Sequence, residues 1–109
     1  LKTKEVDVNA IFACISGYLI LGIGAAPLFL LIHELIPDAF NIKSEVDFYE
    51  FTYFSFITVT TIGYGDITPN SPIAKSLTLL IGIAGQLYLT FLVAIIIGKY
   101  LAGTNEKIN

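Results

Sequence analysis

Two long stretches without a charged residue dominate the chain, and they run from Val8 to Ile32 and from Ser76 to Gly98. An α-helix rises about 1.5 Å per residue, so these stretches of about 25 and about 23 residues extend roughly 37 and 34 Å. Both exceed a hydrocarbon core of about 30 Å, which predicts two membrane-spanning helices. Pro27 lies inside the first, and we expect a bend there because proline removes one helix hydrogen bond.

A third apolar segment, Phe48 to Val59, lies between the two long ones. At about 12 residues it is too short to span a bilayer, which favours a helix that enters the membrane and ends near its middle. The preceding Ser44 to Asp47 resemble a capping box. The C-terminal end of this short helix carries the negative end of its dipole, so a cation is the favoured occupant of the space beyond it.

Composition and charge support a membrane location. Hydrophobic residues make up 55% of the chain and charged residues 14%, whereas soluble domains carry roughly 25% charge. The net charge of −3, with no basic cluster, argues against a nucleic-acid partner. The single Cys14 excludes an intrachain disulfide, and its apolar surroundings favour a buried thiol without a redox or metal role.

The lysines indicate the orientation of the two predicted spans. Four of the six flank the outer ends of the helix pair, and only Lys43 and Lys75 lie in the connecting region. By the positive-inside rule both termini are predicted to be cytoplasmic, with residues 38–72 facing or entering from outside. The predicted location is the plasma membrane.

The segment Thr61-Ile62-Gly63-Tyr64-Gly65 joins the short helix to the second span. Non-helical backbone is tolerated at membrane depth only where protein buries it or where it lines a watery cavity. Glycine adopts positive φ without a steric cost, so Gly63 and Gly65 suit a strand whose carbonyls point to one axis. Such carbonyls can replace the water around a potassium ion, and no acid is present to hold a divalent ion instead. One strand covers one side of an ion, so four copies are predicted.

Followed by Asp66, this segment resembles the selectivity filter of potassium channels, with Ile62 in place of the commoner valine. The resemblance to the two-helix potassium-channel pore covers about Ala10 to Leu101. It implies a homotetramer, with three identical partner subunits, in a lipid bilayer. It also implies K⁺ ions bound by the backbone carbonyls of residues 61–65 and by the Thr61 hydroxyl.

The resemblance implies supporting residues as well. Asp66 in such pores often accepts a hydrogen bond from an aromatic residue of the pore helix, and Tyr53 occupies the place where many relatives have tryptophan. Interfacial packing is the alternative role for Tyr53. Ile57 stands where some members have glutamate, so a Glu–Asp pair behind the filter is absent and any inactivation that depends on it is in doubt.

Two features of the second predicted span indicate that this helix is an inner helix that lines the path of the ion. Gly85 resembles the family's gating hinge, although close helix packing also explains a glycine there. Helical spacing places Gln86, Leu89, Val93 and Ile97 on one face, which we expect to line the cavity with Gln86 just below Thr61. The alternative for Gln86 is a hydrogen bond between helices.

The predicted fold is therefore an all-α membrane protein that forms a single pore domain, residues 1–109. It would comprise an outer helix at about 8–33, an exposed turret at 34–44, a re-entrant pore helix at about 45–59, the filter at 61–65 and an inner helix at about 72–101.

The predicted function is passive, potassium-selective conduction. A poorly selective cation channel and a non-conducting scaffold or regulatory subunit are the alternatives. An enzyme is disfavoured because no nucleophile–base pair or metal-ligand cluster occurs in the sequence. Without an Arg-rich helix or a ligand-sensing segment, the chain is expected to be a bare pore whose gating domain, where one exists, lies outside it.

Overall fold

Two long helices and a short one between them build the molecule. The computed structural model describes residues 8–43 and 45–108, with side chains described as far as residue 102. The elements are α1 (Val8–Leu35), β1 (Phe40–Asn41), α2 (Phe48–Val59), β2 (Thr68–Pro69) and α3 (Pro72–Ile108). Within the described residues, α1 and the Pro72–Ala102 part of α3 are long and apolar enough to cross a membrane, as the predicted pair of spanning helices requires.

One narrow face of α1 is buried against the rest of the chain. Its buried residues, Gly22, Ala25, Ala26 and Phe29, recur at the spacing of one helix face. The large apolar side chains on its other faces are exposed, as expected of a surface that meets lipid. Pro27 lies inside α1 and on an exposed face, and the helix continues through it to Leu35.

An aromatic cluster packs α2 against α1. The rings of Phe29, Phe40, Phe51 and Phe54 meet edge to face, with centroids 5.0 to 6.4 Å apart. This is a favourable geometry for aromatic pairs because the positive ring edge faces the negative ring face. The cluster holds the short helix in a fixed position beside α1.

A short antiparallel ribbon ties the loop after α1 to the segment after the filter. Phe40 pairs with Pro69, and Asn41 pairs with Thr68. The Asn70 side chain donates to the backbone oxygen of Asp38 over 3.1 Å, and the Asn70 backbone N–H donates to Ala39 over 2.7 Å. The prediction of a wholly exposed turret was wrong at Ala39 and Phe40, which are buried because the ribbon folds them onto α2.

The ends of α2 and α3 differ from the predicted bounds. The short helix begins at Phe48, not near residue 45, because the Asp47 side chain accepts from the Glu50 N–H over 2.9 Å and so acts as the N-cap. Ser44, part of the predicted capping box, lies outside the described residues. The last helix continues to Ile108, beyond the predicted end at about 101, because a helix need not stop where its apolar stretch does.

Candidate ion pathway

The backbone of residues 61–65, here called the filter segment, alternates between positive and negative φ. Thr61, Gly63 and Gly65 have φ values of 64°, 58° and 82°, whereas Ile62 and Tyr64 between them have negative φ. The sequence predicted positive φ for the two glycines but not for Thr61. A β-branched residue in this region costs roughly 1–2 kcal/mol, so the surroundings must hold Thr61 there.

The filter segment itself accounts for much of the hydrogen bonding at the end of α2. A helix leaves its last four carbonyls without partners in the helix, and at membrane depth such groups need donors. Each one accepts a hydrogen bond here: Phe56 from Thr60 N–H (3.0 Å), Ile57 from Gly63 N–H (3.2 Å), Thr58 from Thr61 N–H (3.1 Å) and Val59 from the Tyr18 hydroxyl (2.9 Å). These bonds fix the register of the filter segment relative to the helix end.

The C-terminal end of the filter segment is held by Asp66. Its Oδ2 accepts a hydrogen bond of 2.7 Å from the Tyr53 hydroxyl, and its Oδ1 accepts one of 3.1 Å from the Ile67 N–H. The pKa of Tyr53 is raised to about 12. The largest cause is the hydrogen bond to Asp66, and burial and the negative charge of Asp66 contribute less. The structure thus brings together the two residues that the sequence paired.

The side chains of the filter segment point away from the rest of their own chain. Ile62 is 53% exposed and Tyr64 is 71% exposed. Two such exposed apolar and aromatic side chains call for a covering surface in an assembled protein.

A groove of about 440 Å³ lies below the filter segment, beside the first half of α3. Its lining includes Thr61 and Gln86, which the sequence placed close together, and also Thr78, Leu79, Gly82, Ile83 and Leu87. The other predicted cavity residues lie further along α3. Val93 and Ile97 are exposed there, whereas Leu89 is half-buried.

Gly85 lies where α3 touches the end of α2. A Cβ atom at this position would lie 2.9 Å from both the backbone oxygen and the Cγ1 atom of Val59. Contacts this short are not tolerated against backbone, so only glycine fits. The predicted alternative of close helix packing therefore accounts for this glycine, and the hinge stays a prediction because α3 is continuous through it.

The sequence analysis missed the polar contacts that join α1 to α2. The Ser55 hydroxyl, which is buried, donates to the backbone oxygen of Gly22, and the Tyr18 hydroxyl donates to that of Val59. The available signal was a tyrosine within a long uncharged stretch, because a buried hydroxyl at that depth must find a partner.

Charged or sulfur-containing side chains offer no alternative ion site in the described part of the chain. No group of three or more His, Cys, Asp or Glu residues converges there.

Comparison with known proteins identifies the class. A family model described as "Ion channel" matches residues 13–102, most of the chain, and the chain belongs to this family of membrane proteins.

Individual relatives are named as potassium channels. The chain is 34% identical over 82 residues to Two-pore potassium channel 2 of Arabidopsis thaliana, covering 75% of this chain and 17% of the relative. It is 43% identical over 65 residues to Probable potassium channel protein 2 of Methanocaldococcus jannaschii, covering 55% of this chain and 19% of the relative. The chain therefore spans less than a fifth of the length of these relatives.

Proposed function

We propose that this chain forms the pore of a potassium-selective channel that conducts K⁺ passively. The observation that carries the proposal is the alternation of positive and negative φ from Thr61 to Gly65, in a segment held at both ends by hydrogen bonds. The names of the relatives support potassium as the permeant ion.

The proposed ligands are the backbone carbonyls of residues 61–65, together with the Thr61 hydroxyl at the cavity end. Neutral carbonyl oxygens replace the hydration shell of K⁺ without holding the ion so tightly that it cannot leave. Asp66 and Tyr53 act as supports and do not bind the ion.

The proposed assembly is a homotetramer in the bilayer. One strand provides oxygens on one side of an ion, so a closed ring needs symmetric copies. The exposure of Ile62 and Tyr64 supports this, because neighbouring subunits would cover these side chains and brace the carbonyls behind them.

The inner helix would provide the lower part of the pathway. Gln86, in the groove with Thr61, would face the water-filled cavity, and Leu89, Val93 and Ile97 would continue this lining toward the cytoplasm. Bending near Gly85 would open this end. The positive-inside rule supports cytoplasmic termini. The proposed location is the plasma membrane, and the proposed domain is one pore domain over residues 1–109. Any gating domain would belong to parts of the protein outside this chain.

The decisive experiment is the reversal potential of single-channel currents in a bilayer with K⁺ on one side and Na⁺ on the other. A selective pore reverses far toward the potassium equilibrium potential. Reversal near zero would instead establish a non-selective cation channel. A purified tetramer that stays silent in K⁺ on both sides would favour a scaffold.

A pair of glycine variants tests whether the filter segment causes the selectivity. A Cβ on Gly65 would meet no atom of its own chain within 4 Å, so within the chain Gly65→Ala is strained only by the φ of 82°. We expect this variant to lose selective K⁺ current. Gly24→Ala is the matched control, because Gly24 also has open space but lies in a helix, where alanine is favoured. Equal currents from both variants would contradict the proposed role of the segment.

A further inference from the structure

Three helices meet at one backbone carbonyl, that of Val59. Val59 is the last residue of α2, is 0% exposed, and lies two residues before Thr61, where the filter segment begins. The Tyr18 hydroxyl of α1 donates to this carbonyl over 2.9 Å. The orientation of the Val59–Thr60 peptide therefore depends on a side chain 41 residues away in the sequence.

The Val59 carbonyl differs from its neighbours in the origin of its donor. The three carbonyls before it accept from the backbone of residues 60, 61 and 63, which immediately follow the helix. Only the fourth depends on a side chain of another helix. At membrane depth no water replaces a lost donor, so removal of the Tyr18 hydroxyl leaves this carbonyl without its partner.

The inner helix lies against the same carbonyl from another side. A Cβ atom on Gly85 would lie 2.9 Å from the Val59 oxygen. One turn further along α3, the Tyr88 ring packs on the Tyr18 ring with centroids 5.9 Å apart. The Tyr88 hydroxyl donates to the Cys14 backbone oxygen over 2.8 Å, a bond that joins α3 to α1 directly.

We propose that Tyr18 is a positioning residue for ion conduction. Its hydroxyl holds the Val59 carbonyl, and through it the Thr61 end of the filter segment, in the selective conformation. The outer and inner helices thus both act on the filter through one backbone oxygen. This inference rests on the proposed function, because it assigns to Tyr18 a role in that same conduction.

The Tyr18–Val59 hydrogen bond also helps to keep Thr61 in its strained conformation. Thr61 holds a φ of 64°, which a β-branched residue adopts only when its surroundings enforce it. Its N–H is bound to Thr58 in the last turn of α2. When the Val59 peptide is free to turn, this last turn is less constrained and Thr61 can relax toward negative φ. Since one net hydrogen bond corresponds to about five- to tenfold in an equilibrium constant, a measurable share of filters should leave the selective conformation.

The test compares Tyr18→Phe with Tyr88→Phe. Each variant removes one hydroxyl and keeps the ring, and each hydroxyl donates to a backbone oxygen within the membrane-embedded helices. The Tyr88 bond joins α3 to α1 and does not touch α2. Tetramer formation is checked by size-exclusion chromatography, and the K⁺/Na⁺ permeability ratio is then taken from reversal potentials.

We expect Tyr18→Phe to lower the permeability ratio about five- to tenfold and Tyr88→Phe to leave it within about twofold of the unsubstituted protein. A purely structural role would reduce tetramer yield for both variants without changing the ratio. An unchanged ratio in Tyr18→Phe, or the same fall in both variants, would overturn the inference. A non-selective unsubstituted protein would instead overturn the proposed function, so the two failures are distinguishable.

If Tyr18→Phe does not form a tetramer, a second variant tests the inference. Replacement of Tyr18 by 3-fluorotyrosine keeps the ring and the hydroxyl and makes the hydroxyl a stronger donor. The permeability ratio should then equal or exceed that of the unsubstituted protein. A fall of the ratio in this variant would refute a role for the hydrogen bond.

Discussion

The two ends of the helix pair differ in how much of their surface the chain itself covers. Around α2, the aromatic cluster and its neighbours form a core whose members are nearly all inaccessible. Toward the termini, no side chain of residues 8–21 or 86–102 is buried, and the second range includes most of the apolar part of α3.

This difference divides the molecule into two parts. The part around α2 and the filter segment is stabilised by contacts within the chain and is here called the self-supporting half. The part formed by residues 8–21 and 86–102 has no buried side chain and is here called the dependent half. The end that carries the filter segment is fixed by ring contacts, a strand ribbon and hydrogen bonds within one chain. The other end presents apolar helix faces that only lipid or other protein can cover. If the proposed function holds, this division would let the filter segment stay rigid while the other end moves, because few contacts within the chain oppose motion there.

The largest expected effect comes from removal of a ring from the core. Phe54 is 5% exposed and contacts three other phenylalanine rings, so Phe54→Ala should destabilise the fold by about 3–5 kcal/mol. Phe91→Ala deletes the same atoms from the dependent half, where the ring is 61% exposed, and should cost less than about 1 kcal/mol. Thermal unfolding of detergent-solubilised protein, followed by circular dichroism, measures both. Equal losses would remove the distinction between the two halves.

A smaller effect is expected at the boundary between the halves. Gly85→Ala places a Cβ against the Val59 backbone and should destabilise the fold by about 1–3 kcal/mol. Gly82→Ala is the matched control, because its Cβ meets only the Thr58 methyl group at 3.8 Å and alanine is a better helix former. That variant should be neutral or slightly more stable in the same unfolding assay. An unchanged stability in Gly85→Ala would favour the hinge over close packing.

The sequence predicted well the features that depend on local composition. Two spans follow from the length of the uncharged stretches, and the positive φ of Gly63 and Gly65 follows from the only residue type that adopts it freely. The Tyr53–Asp66 pair was predicted through resemblance, and its two members meet in the structure.

Features that depend on packing between distant segments could not be predicted in the same way. Ala39 and Phe40 follow an acidic, proline-containing stretch that resembles an exposed loop, and only the pairing with residues 68–69 buries them. The Tyr18–Val59 bond needs the crossing point of α1 and α2, which no periodicity in either segment encodes. The N-cap is Asp47, the last residue of the predicted capping box, because several polar residues there can each cap a helix.

The smallest expected effect concerns the outer end of the self-supporting half. Tyr53 donates to Asp66 only while its hydroxyl is protonated, and its pKa is raised from 10.0 to about 12 in the folded protein. Because the folded pKa is the higher one, the stabilisation is complete below pH 10 and disappears as the pH rises through about 12. Tyr53→Phe should therefore unfold at a lower temperature than the unsubstituted protein at neutral pH, and this difference should vanish in strong alkali.

Tyr49→Phe provides the control for this last prediction, since Tyr49 is exposed and lies one helical turn before Tyr53. Alkali affects lysines and other tyrosines in all three proteins alike, so the informative quantity is the difference in unfolding temperature as a function of pH. Tyr49→Phe should follow the unsubstituted protein throughout. A difference between Tyr53→Phe and the unsubstituted protein that persists beyond pH 12 would show that ring packing, not the hydrogen bond to Asp66, is what Tyr53 contributes at the mouth of the filter. In that case the hydrogen bonds at the Thr61 end would be what holds the filter segment in place. The contacts around Asp66 would then contribute little to the difference in stability between the two halves.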